Sequence, residues 1–212
     1  MRVPVLLLHG LWMRGAALGL LSRRLRAAGF AVSTLNYPSV RGGPDAALPL
    51  LIDSLRALGP GPVRIVAHSL GGLMALSALQ AEPQLPVDRV LCLGSPLCGS
   101  AAAHGLSRWP GGQHLLGDSL GLLRTGVPAW QGTAQVAMIA GNLALGLGVL
   151  PGRLSRPHDG TVAVAETRLP GLAAHCVLPV SHSGLVFSRA VATQAAQFLR
   201  DGRFQPEPAA IR

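Results

Sequence analysis

Val63-Arg64-Ile65-Val66-Ala67-His68-Ser69-Leu70-Gly71-Gly72 changes character at its serine: an apolar run of β-formers precedes it, and a stretch with helical periodicity follows. A strand that passes straight into a helix there leaves Ser69 on a sharp, strained turn, with its hydroxyl pushed out at the carboxyl end of a sheet. Strand and helix approach closely around such a turn, so the residues two before and two after the serine must be small. Here they are Ala67 and Gly71. The competing description is an ordinary strand-to-helix turn in which Ser69 only caps the helix.

Working outward from this segment, apolar runs alternate with amphipathic ones. Strands are expected at Val3–Leu8, Ala31–Tyr37, Val63–Ala67 and Arg89–Gly94, and helices at Ala16–Ala28, Asp45–Leu58 and Leu70–Gln80. This alternation predicts an α/β fold, a mostly parallel central sheet with helices on both faces. From Ser95 to Gly132 the rhythm breaks into Gly, Pro, Ser and Trp with no sustained period, which predicts a lid-like excursion. Strands at Gln135–Ala140 and Ala174–Val180 and a closing helix at Leu185–Leu199 complete the pattern. Neither an internal repeat nor a linker divides the chain, so residues 1–212 are expected to form one domain.

Composition narrows the function classes. The chain has 212 residues, 49% hydrophobic and 13% charged, which describes an apolar globule with a pocket rather than a disordered segment. All 18 basic residues are arginine against nine acids, a net charge of +9. The arginines are spread from Arg2 to Arg212, and their one cluster, Arg23, Arg24 and Arg26, falls on one expected helix without interleaved aromatics. That pattern describes a solvated basic surface, and no specific nucleic-acid binding is expected. Cys92, Cys98 and Cys176 are odd in number and lack metal-ligand spacing, which fits free thiols in a reducing compartment. The first apolar run is short and leads directly into His9-Gly10, so it is not taken as a signal peptide, and a cytoplasmic location is expected. Residues 136–150 are almost wholly apolar, but Asn142 and several glycines interrupt them, over fewer than the roughly 20 residues a membrane span needs.

A serine hydroxyl is a weak nucleophile until a base takes its proton. Among seven histidines, His182 follows the last expected strand and precedes the last helix, which puts it on the same sheet edge as Ser69. His175 starts that strand, at the wrong end, and His158 adjoins an acid. The imidazole needs a carboxylate to hold its tautomer, and Asp159 in His158-Asp159-Gly160 lies between the last two strands in the chain order Ser, Asp, His. Asp118 is the alternative acid, and Asp-Gly is also a common turn pair. Acyl transfer further requires donors for a tetrahedral oxyanion. The backbone N–H of Leu70, just after the serine, and that of Leu11, in the His9-Gly10-Leu11-Trp12 loop after the first strand, are the expected donors; His9 is expected to be structural.

His9-Gly10, the Ala67–Gly72 elbow, the Gly94-Ser95-Pro96-Leu97-Cys98-Gly99-Ser100 run, Asp159-Gly160 and His182 together resemble the α/β-hydrolase superfamily, and within it the small lipase- and esterase-like serine hydrolases. The resemblance spans essentially the whole chain and implies hydrolysis of a carboxylic ester through an acyl-enzyme, without cofactor or metal. It also implies that the Gly94–Ser100 run lines the site or fixes the lid. A small-molecule ester is the expected partner, with transient lipid contact and an undetermined oligomeric state. Leu11, Trp12, Met13, Trp109, Trp130 and the apolar loop 143–150 are candidates for hydrophobic lining, although each on its own fits core packing better than substrate contact. A thioesterase or acyltransferase would use the same three side chains. An inactive hydrolase-like domain that binds a lipid or protein would keep the fold without the chemistry.

Overall fold

Alternation of two kinds of apolar contact explains why the strands are apolar on both sides. In the computed structural model, which describes residues 2–145 and 154–205, β1 spans Pro4–Leu8, β2 Ala31–Leu35, β3 Val63–His68, β4 Val87–Leu93, β5 Gln135–Gly141 and β6 Ala174–Leu178. Leu6 and Leu8 of β1 point into one core with Ile65 and Ala67 of β3, whereas Val5 and Leu7 point into a second core with Val66. β1 and β3 therefore bury alternate positions in different layers, as a covered parallel sheet demands.

All six strands are parallel, in the spatial order β2-β1-β3-β4-β5-β6. The first core lies under α2 (Gly43–Ala57) and α3 (Leu70–Ala81); the second lies under α1 (Gly19–Ala27) and the last long helix. After β2 the chain crosses back over β1 to form β3, so the direction of winding reverses between β1 and β3. Ligands of open α/β sheets bind outside the carboxyl ends of the strands at such a reversal. The segments that emerge there are His9–Met13 after β1 and Ser69 after β3.

The excursion expected to be irregular is built of short helices: α4 (Ala101–Leu106), α5 (Gly112–Leu116) and α6 (Leu120–Thr125), with a 3-10 turn at Gly117–Ser119. Leu106, Leu116 and Leu123 anchor them in the first core. The expected closing helix is interrupted. Ser188 is extended (φ −70°, ψ 135°) between α7 (Gly184–Phe187) and α8 (Arg189–Asp201), and its hydroxyl accepts the Val191 N–H at 3.4 Å. A 3-10 turn, Gly15–Leu18, likewise replaces the start of the first expected helix. Among the described residues no helix is long and apolar enough to cross a membrane. Of the 136–150 stretch, β5 accounts for the first part; residues 146–150 and Gly152 lie outside the described residues.

Candidate active site

Ser69 sits between β3 and α3 with φ 55° and ψ −121°, a conformation that costs a non-glycine residue about 1–3 kcal/mol. The surroundings hold it there. Its N–H donates to Leu93 O at 2.9 Å, and its carbonyl accepts the Gly72 N–H at 3.1 Å. A Cβ on Gly71 would lie 2.9 Å from His9 O and 3.0 Å from Leu8 O, so the helix start can press against the end of β1 only as glycine.

The loop after β1 reaches Ser69 directly. A Cβ on Gly10 would stand 3.0 Å from the Ser69 Cβ. Trp12, at φ 59°, is the other non-glycine residue with positive φ among the described residues, so both strained positions border one site. His9 supports the loop from beneath: its ring stacks on Tyr37 at 4.3 Å and Nδ1 lies 2.9 Å from Gly10 O, while the Tyr37 hydroxyl donates to His9 O at 2.5 Å. Burial lowers the His9 pKa and raises that of Tyr37, so both stay neutral. The Leu11 and Leu70 N–H groups carry no hydrogen bond among the described residues.

His182 and Asp159 are joined at both backbone and side chain. Nδ1 of His182 donates to Asp159 Oδ2 at 2.7 Å, and the His182 N–H donates to Asp159 O at 2.9 Å. Oδ1 of Asp159 accepts the N–H groups of Thr161 and Val162 at 2.9 and 2.7 Å. Asp159 is thus both the turn residue that Asp-Gly suggests and the partner of the imidazole. Because the carboxylate accepts at Nδ1, the proton resides there and Nε2 keeps its lone pair. Close packing fixes the pair. Gly94 (φ 58°) has room for no side chain, since a Cβ would fall 2.5 Å from Leu185 Cδ1 and 3.1 Å from Asp159 Oδ2.

His68 is the residue whose role the sequence reading missed. Fully buried, its pKa is lowered to about 3 by desolvation, with repulsion from His182 adding to the shift. A neutral imidazole has one N–H, and because Nε2 lies 3.1 Å from the His182 carbonyl, which can only accept, that proton is on Nε2. Nδ1 is a buried acceptor without a partner among the described residues. The two rings lie 4.7 Å apart, so the neighbour of Ser69 holds the loop that bears His182.

Ser69, His68 and His182 line one cavity of about 360 Å³, within the usual range of small-molecule clefts, roughly 300–1,000 Å³. The Ser69 hydroxyl makes no direct hydrogen bond to the imidazole, as is common before substrate binds. Leu11, Trp12, Met13, Phe187 and Leu145 form apolar parts of the wall.

No protein-family model matches the chain, and no curated protein matches it. Solved structures do. The mature form of the lipase BlEst2 of Bacillus licheniformis is 20% identical with a TM-score of 0.73, over 94% of this chain and 91% of that one. The pyrethroid hydrolase PytH is 18% identical with a TM-score of 0.67, over 95% and 99%. Polyneuridine aldehyde esterase is 12% identical with a TM-score of 0.64, over 95% and 100%. The protein has the α/β-hydrolase fold.

Within the α/β-hydrolase fold, the structure brings Ser69, His182 and Asp159 to the carboxyl edge of the sheet and sets the backbone of Leu11 and Leu70 beside the serine. The alternative acid, Asp118, lies elsewhere and accepts the Gly42 N–H at 2.7 Å. His175 bonds the Thr167 hydroxyl at 2.9 Å, and His158 accepts the Gly160 N–H at 3.1 Å. Two of the candidate lining residues do not line the cavity. Trp130 is buried in the core with its indole N–H on Ala134 O at 2.9 Å, and Trp109 is exposed and does not line the cavity. Of the apolar loop, Leu145 lines the cavity and residues 146–150 lie outside the described residues. Within the Gly94–Ser100 run, Pro96 and Ser100 line the cavity, and Ser100 caps α4 by accepting the Ala103 N–H at 3.1 Å. Glu166, unremarked in the sequence, ties the excursion to the Asp159 loop by accepting the N–H groups of Ala101 and Ala163 at 2.7 and 2.9 Å.

Proposed function

We propose that this protein is a serine hydrolase that cleaves carboxylic esters with a hydrophobic acyl group through an acyl-enzyme. The observation that carries the reading is a strained, cavity-facing Ser69 beside an imidazole whose proton is held at Nδ1 by a buried carboxylate at 2.7 Å. Ser69 Oγ adds to the ester carbonyl while His182 Nε2 takes its proton. The tetrahedral oxyanion is held by the N–H groups of Leu11 and Leu70, each donor being worth about 10² to 10³ in turnover. Collapse breaks the carbonyl–alkoxy bond, and the imidazolium returns the proton to the departing alcohol. Water, deprotonated by the same imidazole, then attacks the acyl-serine and frees the acid. The apolar wall suits the acyl chain, and the structural neighbours, a lipase, a pyrethroid hydrolase and an esterase, agree with an ester substrate. Turnover of p-nitrophenyl esters of graded chain length tests this. Ser69→Ala is expected to abolish hydrolysis while leaving the folded circular-dichroism spectrum intact; an unchanged rate would refute the proposal.

A further inference from the structure

A second groove, of about 380 Å³, runs between α1 and α8 and is lined by Arg23, Arg24, Arg189 and Arg200 together with Thr193 and Gln197. Four arginines thus line one concavity, and no carboxylate is among its lining residues. The ion pairs of the described residues use other arginines, Arg56 and Arg64. The side chains of Arg23 and Arg189 have no hydrogen-bond partner among the described residues. Arg24 places one N–H on Phe187 O at 2.5 Å, and Arg200 one on Ala28 O at 3.3 Å, which leaves most of their donors open. The nearby carboxylate, Asp201, accepts a hydrogen bond from Gln197 and is outside the lining, so the arginines repel one another across the groove, and a bound anion offsets that cost.

The groove adjoins the cavity. Phe187 walls the cavity and receives the Arg24 hydrogen bond; Ser188 follows in extended form, and Arg189 then enters the groove. Two residues of extended chain reach about 7 Å, so the Arg189 end of the groove lies within that backbone reach of the Phe187 wall of the cavity. We propose that the arginine groove binds a phosphate group carried on the leaving-group side of the substrate whose acyl chain fills the catalytic cavity. Guanidinium forks match phosphate oxygens in pairs, and the hydroxyl and carboxamide beside them complete a polar lining. No aromatic side chain lines the groove, so it lacks the stacking platform that a single-stranded nucleic acid uses.

This inference rests on the ester-hydrolase reading above. The substrates are matched pairs: 1-octanoylglycerol with and without a 3-phosphate, and octanoyl-CoA against the uncharged octanoyl-N-acetylcysteamine. Wild type is expected to favour the phosphate-bearing member of at least one pair in kcat/KM, and the favoured pair tells a lipid headgroup from a soluble phosphorylated thiol. Arg23→Gln with Arg189→Gln is expected to lose that preference by about tenfold while the uncharged substrate is hydrolysed as before. Raising the salt concentration is expected to erode the preference in wild type alone. Equal rates within both pairs, or an equal loss on charged and uncharged substrates, would overturn the proposal. Calorimetric binding of the octanoylglycerol phosphate to Ser69→Ala protein separates the two failures. Binding that the arginine substitutions weaken supports the groove even without turnover, and binding indifferent to the phosphate refutes it.

Discussion

Replacing Gly71 by alanine perturbs the proposed oxyanion site through a single methyl group. The new Cβ would meet His9 O at 2.9 Å and Leu8 O at 3.0 Å, both backbone atoms, whereas ordinary contacts begin near 3.4 Å. The start of α3 and the end of β1 must therefore separate by about half an ångström. That movement carries the Leu70 N–H on one side and the Leu11 N–H on the other. Overpacking of this size costs about 1–3 kcal/mol of stability. Its effect on chemistry is larger, because a misplacement approaching 1 Å at the reacting centre can cost about 10²-fold. Urea denaturation and kcat on a short p-nitrophenyl ester, measured on the same preparation, separate the two effects. The expected result is a folded protein with kcat lowered about 10- to 100-fold. Folded Gly71→Ala protein with kcat within twofold of wild type would show that the two donors do not act together beside Ser69.

Asp159→Asn retains an oxygen for the Thr161 and Val162 N–H groups but can no longer fix the proton on His182 Nδ1, so kcat is expected to fall by about 10³ to 10⁴ with the fold preserved. A loss below tenfold would contradict the assigned role. His68 titrates near 3 when folded and at 6.5 when unfolded, so the unfolded chain binds the extra proton and stability falls as pH drops below about 6.5. Each such group contributes about 1.4 kcal/mol per pH unit; His175, lowered to about 4 chiefly by burial, adds in the same direction. His68→Gln is expected to remove about 2 kcal/mol of the stability difference between pH 6.5 and pH 5 in urea titrations, and an identical pH dependence in both proteins would refute the neutral, buried assignment.

Much of this organisation is legible from residues near one another in sequence. The β-formers of 63–67 and the small residues at 67 and 71 announce a sharp strand-to-helix turn because its sterics are local. The pairing of His182 with Asp159 is also visible in outline, since both follow strands that end at one edge and only nine acids compete. What escaped depends on distant neighbours. The helices of 95–132 are too short for periodicity to register, and they are held by Leu106, Leu116 and Leu123 in the core. The break at Ser188 lies within a continuous apolar pattern, and only the cap formed with Val191 reveals it. Trp130 looks like a pocket aromatic but is enclosed by the core, and His68 looks like filler between Ala67 and Ser69 although it carries the His182 loop. Seven histidines differ in role only through what surrounds them in space.

Labelling with a fluorophosphonate probe, followed by peptide mass spectrometry, most directly asks whether the hydroxyl at position 69 is an activated nucleophile. A single adduct is expected on Ser69 in native protein, absent after heat denaturation and strongly slowed in His182→Ala. Native protein that remains unlabelled at Ser69, or labels equally fast without His182, would contradict it.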